Sequence, residues 1–149
     1  MRIRHAKKIQ RPGAAMVEFA FAFSAFVVIL FALFQFCIAI FLRQVNDNAA
    51  REGARLAVVA DYYNPPLQTS DIQAQVNAVL PTKLFNSINV QVYLADAQGK
   101  NIGAWPSAKF GQNVVVQVTT TYSPLFPTFG IFPNTVSIDS RSMMKSEAP

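Results

Sequence analysis

The residue types that most often carry out catalysis are few and widely separated in this sequence. The only histidine, His5, lies in a basic stretch near the amino terminus, and the only cysteine, Cys37, lies within a long apolar run. There is no Cys/His cluster with metal-ligand spacing, no glycine-rich phosphate loop and no G-x-S-x-G motif. The acidic residues beyond the apolar run are well spread: Asp47, Glu52, Asp61, Asp71, Asp96, Asp139 and Glu147. We therefore expect no enzymatic activity, no metal site and no cofactor; the weaker alternative is an envelope enzyme whose site is assembled from distant residues.

One acidic residue stands out by its position. Glu18 directly precedes the run from Phe19 to Leu42, which holds 24 residues without a formal charge, eight of them phenylalanine. As an α-helix this run is roughly 36 Å long, compared with about 30 Å for the hydrocarbon core of a bilayer. Residues 19–42 are therefore predicted to span a membrane as one tilted helix.

Two explanations of Glu18 remain open from the sequence. If the helix begins near Ala14, Glu18 lies about one turn inside it, where the carboxylate can reach the lipid headgroups and favour the positive end of the helix dipole. Alternatively, the carboxylate pairs with a positive charge from a neighbouring chain. Cleavage after Gly13 would create such a charge, because Ala14 would then carry a free ammonium group.

The basic residues are concentrated before the apolar run. The chain has 149 residues and a formal net charge of +5. Five basic residues precede Gly13: Arg2, Arg4, Lys7, Lys8 and Arg11. From residue 14 onward the basic and acidic residues are equal in number. The charge therefore belongs to a leader, residues 1–13, that the positive-inside rule places in the cytoplasm, and it indicates no nucleic-acid-binding surface.

The helix is predicted to continue beyond the membrane, over residues 14–60 in all, because two prolines follow at positions 65 and 66. Its outer half has Asp47 and Arg51 at the i,i+4 spacing of a favourable ion pair. Small residues also recur there at every fourth position, at Ala49, Gly53 and Ala57. Such a face allows another element to approach closely. It packs either on the chain's own sheet, which the sequence favours, or on a helix of another subunit.

Residues 61–149 are predicted to form one extracytoplasmic α+β domain. Ser70 and Gln73 have the spacing of a capping box and predict a short helix that Pro81 ends. Apolar and polar residues then alternate with a period of two in three segments, which predicts three antiparallel strands: 90–94, 114–118 and 135–144. Residues 96–112 are expected to be a long hairpin loop. Such a sheet needs a cover, and the outer half of the long helix provides it.

The sequence also bears on the tryptophan of this domain and on the carboxy terminus. Trp105, in the long loop, either forms a partner-binding patch or closes the small core, together with three phenylalanines at positions 126, 129 and 132. The carboxy-terminal residues 146–149 are expected to be frayed.

Two sequence segments resemble a known family. Gly13-Ala14-Ala15-Met16-Val17-Glu18-Phe19, followed by an apolar helix, is similar to a type IV prepilin cleavage site. Just beyond the span lies the second segment, Asn48-Ala49-Ala50-Arg51-Glu52-Gly53-Ala54-Arg55. Together they resemble the TadE-like pseudopilins, or minor pilins, of the bacterial tight-adherence (Tad, Flp pilus) system, and the resemblance covers residues 11–60.

The resemblance implies a pilin-like fold and a non-catalytic role in assembling a Tad (Flp) type IV pilus, in adhesion and biofilm formation. It implies that prepilin peptidase cuts between Gly13 and Ala14 and that Glu18 is the assembly glutamate. Phe19 stands where the major Flp pilins usually have tyrosine, which favours a pseudopilin. The implied partners are the membrane, prepilin peptidase, other Tad pilins and pseudopilins, and the inner-membrane assembly platform. The implied location is the bacterial inner membrane, crossed once, with the outer domain periplasmic or extracellular.

An alternative of another class is an uncleaved, signal-anchored envelope protein whose outer domain binds a protein or ligand. The two hypotheses differ at the leader, because only the pseudopilin loses residues 1–13.

Overall fold

A long amino-terminal helix is the largest element of the fold, and the other elements pack on its second half. The computed structural model describes residues 12–60, 66–125 and 133–147. Helix α1 covers Pro12–Val58, which is 47 residues. Proline is well suited to the first position of a helix, because the N–H that it lacks would have no partner there. The helix starts two residues before the predicted Ala14 and ends two before residue 60.

The rest of the described chain forms a second helix and an antiparallel sheet. Helix α2 covers Thr69–Val79. The strands are β1 (Ser87–Ala95), β2 (Asn101–Ala104), β3 (Asn113–Tyr122) and β4 (Val136–Lys145). Their order in the sheet is β2-β1-β3-β4, and every neighbouring pair is antiparallel. The predicted α+β fold, a long helix packed on a small antiparallel sheet, is confirmed.

The sheet has one strand more than the three predicted. Strand β2 lies inside the predicted loop 96–112 and pairs with the end of β1. All four of its residues are exposed, so it lacks the alternation of buried and exposed side chains from which strands are predicted. Its position follows from a tight turn, in which the Asp96 carboxylate accepts hydrogen bonds from the backbone N–H groups of Gln98 (2.9 Å) and Lys100 (2.8 Å).

The core lies between the sheet and the two helices. Strand β3 is central, and alternate side chains from Val114 to Tyr122 point into the core. The outer half of α1 presents small residues to this core. The surroundings of Gly53 show which surface these residues pack against. A Cβ atom on Gly53 would lie 2.7 Å from Val76 of α2 and 3.1 Å from Val116 of β3. The small-residue face of α1 therefore packs on the chain's own domain, as the sequence favoured.

Two local expectations are wrong. The short helix is capped by Asp71, whose carboxylate accepts a hydrogen bond from the backbone N–H of Gln68 at 2.8 Å, and not by the Ser70 and Gln73 pair. Gln73 instead donates to the carbonyl of Val90 at 3.1 Å. The carboxy terminus is held as far as residue 147, because the N–H of Glu147 donates to the carbonyl of Val58 at 3.2 Å.

Trp105 closes the core and does not form an exposed patch. Its side chain is 5% exposed, and its indole N–H donates to the Thr69 hydroxyl at 2.8 Å. The three phenylalanines at 126, 129 and 132 lie outside the described residues.

Candidate processing and assembly site

The amino-terminal half of α1 is an apolar surface that the rest of the described chain leaves uncovered. Large side chains are exposed along it, among them Met16, Phe21, Phe26 and Leu33. Within the described residues, α1 is the one helix that is long and apolar enough to cross a membrane. The carboxy-terminal half, by contrast, is buried on one face from Leu42 onward.

The candidate site lies at the beginning of this exposed half. Gly13 is in the first turn, and a Cβ atom placed on it would meet nothing within 4 Å. The first N–H groups of a helix have no carbonyl partner within the helix, so this turn is the easiest one to unwind. The Gly13–Ala14 bond therefore lies in an accessible part of the described chain.

Glu18 lies one turn after Ala14 and is exposed. The described residues provide its carboxylate with neither an ion pair nor a hydrogen bond. Its neighbours are apolar: the ring of Phe19 stacks on that of Phe23, with the centroids 5.8 Å apart. Ser24, the nearest hydroxyl, donates to the Ala20 carbonyl of its own helix at 2.8 Å. An exposed acid on an apolar surface is consistent with a partner from another molecule.

The second motif, residues 48–55, divides into two faces of the helix. Its four small residues are all buried against the domain: Ala49, Ala50, Gly53 and Ala54. The side chains of Asn48, Arg51 and Arg55 are exposed on the other face. Arg55 pairs with Glu52 at 3.1 Å, whereas the expected Asp47–Arg51 ion pair is not formed. The small residues of the motif thus hold the domain on the helix.

The structure does not bring the two motifs together. About 30 residues of helix separate Glu18 from Asn48, which corresponds to roughly 45 Å. They are therefore two separate regions of α1.

Comparison with known protein families finds a match that covers both of these regions. Residues 13–55 match the family model described as TadE-like protein. The chain carries a TadE-like segment. No curated protein matches the chain, and neither does any solved structure. The resemblance to the TadE-like family is thereby confirmed over α1, and it points to a protein associated with the Tad pilus.

The TadE-like segment also contains a buried polar residue that the sequence did not single out. Asn46 is fully buried, and its amide nitrogen donates to the Thr120 hydroxyl at 3.1 Å and to the Ile138 carbonyl at 3.3 Å. It thereby ties α1 to both β3 and β4. Its burial could have been predicted from its spacing, because Asn46 follows Leu42 by four residues and precedes Ala49 by three, which places all three on one face of the helix.

A cavity of about 240 Å³ lies between α1 and the near end of the sheet. It is lined by apolar side chains and one amide: Ala32, Gln35, Phe36, Ala39, Tyr122, Pro124 and Val136. Both polar atoms of the Gln35 side chain are buried there, and the described residues offer them no hydrogen-bond partner. Tyr122, Pro124 and Val136 of the domain thus face α1 between Ala32 and Ala39, inside the segment predicted to span the membrane.

A polar network occupies the open face of the sheet. The Asp139 carboxylate accepts hydrogen bonds from the side chains of Gln117 (2.8 Å), Thr119 (3.0 Å) and Arg141 (3.2 Å). Partial burial raises the pKa of Asp139, but these hydrogen bonds and the charge of Arg141 outweigh it, so the pKa is lower than usual. Among the described residues, no group of three or more His, Cys, Asp or Glu is placed to hold a metal ion.

Proposed function

We propose that this chain is a TadE-like pseudopilin that prepilin peptidase processes between Gly13 and Ala14 and that acts as a minor structural component in assembling a Tad (Flp) pilus. Its role is structural, without catalysis. It would be inserted in the bacterial inner membrane with the leader 1–13 in the cytoplasm and residues 61–149 outside. Its partners would be the peptidase, other Tad pilins and pseudopilins, and the assembly platform.

The observation that carries this proposal is the unpaired Glu18 carboxylate on the uncovered apolar half of α1. The described part of the domain packs on the other half of the helix, and lipid or other chains would cover most of the exposed half. A carboxylate on such a surface is tolerated at a membrane boundary, where the penalty for a charge is small. When apolar helices pack around it, it needs a cation to offset the loss of water.

Processing would supply that cation. Cleavage after Gly13 removes the basic leader and leaves an ammonium group on Ala14. Glu18 of one chain would then pair with the ammonium group of a neighbouring chain at an apolar contact between helices. Because the pair forms only after cleavage, assembly would be limited to processed chains.

The experiment that tests this function determines the amino terminus of the protein purified from its native membrane. Intact mass and amino-terminal sequencing should show a chain that begins at Ala14. Gly13→Leu should block the cut, because a large side chain would stand immediately before the cleaved bond. Met16→Leu, an apolar replacement in the same region, should be processed normally.

The opposite result supports the alternative, a signal-anchored envelope protein. A chain that begins at Met1 in cells with active prepilin peptidase, and that is unaffected by Gly13→Leu, would contradict the pseudopilin proposal.

A further inference from the structure

A groove of about 310 Å³ lies between α1 and strand β4. Four helix residues and three strand residues line it: Phe36, Ala39, Ile40, Arg43, Ser137, Ile138 and Asp139. Arg43 is the first charged residue after the apolar run that is predicted to span the membrane. The groove therefore lies where this segment ends, at the boundary between hydrocarbon and water.

The groove carries charges of both signs. The side chain of Arg43 is exposed and forms neither an ion pair nor a hydrogen bond with the described residues. A guanidinium group has several N–H donors in a planar arrangement that matches the oxygens of a phosphate. Asp139 lines the strand side of the same groove but does not pair with Arg43; its ion pair is with Arg141, at 3.2 Å. A ligand between helix and strand can therefore contact both Arg43 and Asp139.

The backbone of β4 adds donors and acceptors to the strand side, because β4 is an edge strand. In an antiparallel ladder, residues alternate between those that bond to the neighbouring strand and those whose N–H and C=O groups point away from it. The N–H of Ser146 donates to the carbonyl of Gln112 at 2.7 Å, and these two residues form the next pair in the β3–β4 register. The even-numbered residues of β4 thus bond to β3. Ser137 and Asp139 direct their backbone groups to the outer edge.

Polarity changes along α1 in the direction of the bilayer. The apolar cavity of about 240 Å³ shares Phe36 and Ala39 with the groove and extends one turn further toward the amino terminus, to Ala32. On the groove itself, Phe36 and Ile40 are 64% and 42% exposed. Charged groups therefore lie at the water end and apolar side chains at the hydrocarbon end, which is the order of polarity in a phospholipid.

The charges of the groove also distinguish between headgroups. A phosphate can pair with Arg43, but a headgroup with negative charge alone would also meet the carboxylate of Asp139. A headgroup that has a primary ammonium group as well can donate hydrogen bonds to this carboxylate and to the outward carbonyls of the β4 edge. The quaternary ammonium group of choline has no N–H to donate. The groove thus suits an ethanolamine headgroup better than a glycerol or choline headgroup.

We propose that this groove binds one phosphatidylethanolamine molecule from the leaflet that faces the domain. Its phosphate pairs with Arg43, its ammonium group lies at Asp139 and the edge of β4, and an acyl chain follows Phe36 and Ile40. Because the lipid contacts helix and strand together, it orients the domain relative to the bilayer. This inference rests on the membrane anchoring that the proposed function includes.

The test measures how tightly the full chain retains each lipid. The chain is purified in detergent and mixed separately with phosphatidylethanolamine, phosphatidylcholine or phosphatidylglycerol that have identical acyl chains. Native mass spectrometry then gives the number of bound lipids at each concentration. We expect a single phosphatidylethanolamine to bind roughly tenfold more tightly than either other lipid, which is the scale of one charge-assisted hydrogen bond.

Substitutions separate the two charges. Arg43→Gln should weaken the binding of all three lipids roughly tenfold, because each of them carries the phosphate. Asp139→Asn should remove the preference for phosphatidylethanolamine and leave phosphatidylcholine binding unchanged. The matched controls, Arg51→Gln and Glu52→Gln, lie about two turns further along α1, outside the groove, and should bind lipid like the unaltered chain. Thermal unfolding checks that each variant is folded. If Asp139→Asn is unstable, Arg43→Gln remains decisive, because Arg43 bonds to no described residue.

The other outcomes overturn the inference. Equal retention of the three lipids, unaffected by Arg43→Gln, would mean that lipid surrounds the helix without a specific site. Equal losses in Arg43→Gln and Arg51→Gln would place the binding outside the groove. If Arg43→Gln retained lipid normally but reduced piliation in cells, the groove would belong to another pilus subunit.

Flotation of the full chain with liposomes separates a failure of this inference from a failure of the proposed function. A chain that floats with the liposomes but shows no headgroup preference contradicts this inference alone. A chain that does not float contradicts the membrane anchoring in the proposed function as well.

Discussion

The two halves of α1 have the same secondary structure but opposite relations to the rest of the chain. From Gly13 to Phe34 the helix carries large apolar side chains, most of them exposed. From Gln35 to Val58 it presents small residues and one asparagine to its own domain. The difference shows that a single helix can serve two purposes. The second half completes a core, whereas the first half presents an apolar surface that the rest of the described chain leaves largely uncovered.

Of the substitutions that test the difference between the two halves, Glu18→Ala in the first half should have the largest effect, which is on pilus assembly. We expect it to abolish pilus assembly, because the carboxylate that would pair with the ammonium group of a neighbouring chain is lost. Membrane insertion and the unfolding of the outer domain should not change, since Glu18 is exposed and bonds to none of the domain's described residues. Piliation counted by electron microscopy, alongside membrane fractionation, is the measurement. Glu52→Ala, which removes the acid of a surface pair, is the control and should assemble normally. Normal piliation in Glu18→Ala cells would remove the assembly role.

Gly53→Leu should produce the largest effect in the second half. The new side chain would collide with Val76 and Val116, and overpacking of this kind costs about 1–3 kcal/mol or more in the free energy of unfolding. Thermal unfolding of the purified full chain in detergent measures it. Gly103→Leu is the matched control, because a Cβ atom on that glycine meets nothing within 4 Å. If Gly53→Leu reduced assembly without reducing stability, the small-residue face would serve another subunit after all.

A smaller effect is expected at the polar contact between the helix and the sheet. Asn46→Ala removes the donor to Thr120 and Ile138 and leaves buried acceptors without it, at a cost of about 1–3 kcal/mol. Asn48→Ala, two residues further along the same helix but exposed, should change the unfolding free energy by less than about 0.5 kcal/mol. Urea unfolding of the two variants under the same conditions makes the comparison. Equal stabilities would show that the Asn46 hydrogen bonds contribute nothing net.

The lengths of the elements were largely predictable, because they depend on local patterns. The long apolar run and the absence of proline between Pro12 and Val58 determine α1. Alternation with a period of two located β1, β3 and β4. Strand β2 was missed because it is a short edge strand with no buried face, held by backbone hydrogen bonds that have no side-chain signature.

The candidate site, too, was only partly predictable from the sequence. The apolar run and the acid at its start were located from residue types and spacing, whereas the roles predicted for Gly13 and Glu18 came from the resemblance to a prepilin cleavage site. The motif at 48–55 could be located, and the sequence favoured packing of its small residues on the chain's own sheet, but a neighbouring helix remained an alternative. Only the contact of Gly53 with Val76 and Val116 decided between them.

By itself, then, the sequence determined an apolar helix with an acid near its start, a basic amino-terminal segment and a strand-rich second half, because charge, hydropathy and period are properties of neighbouring residues. The tertiary structure alone decided that Trp105 is buried, that Asn46 links α1 to two strands, and that the domain faces α1 as far as Ala32. Those facts depend on side chains separated by tens of residues along the chain, and their contacts exist only once helix and sheet have packed together.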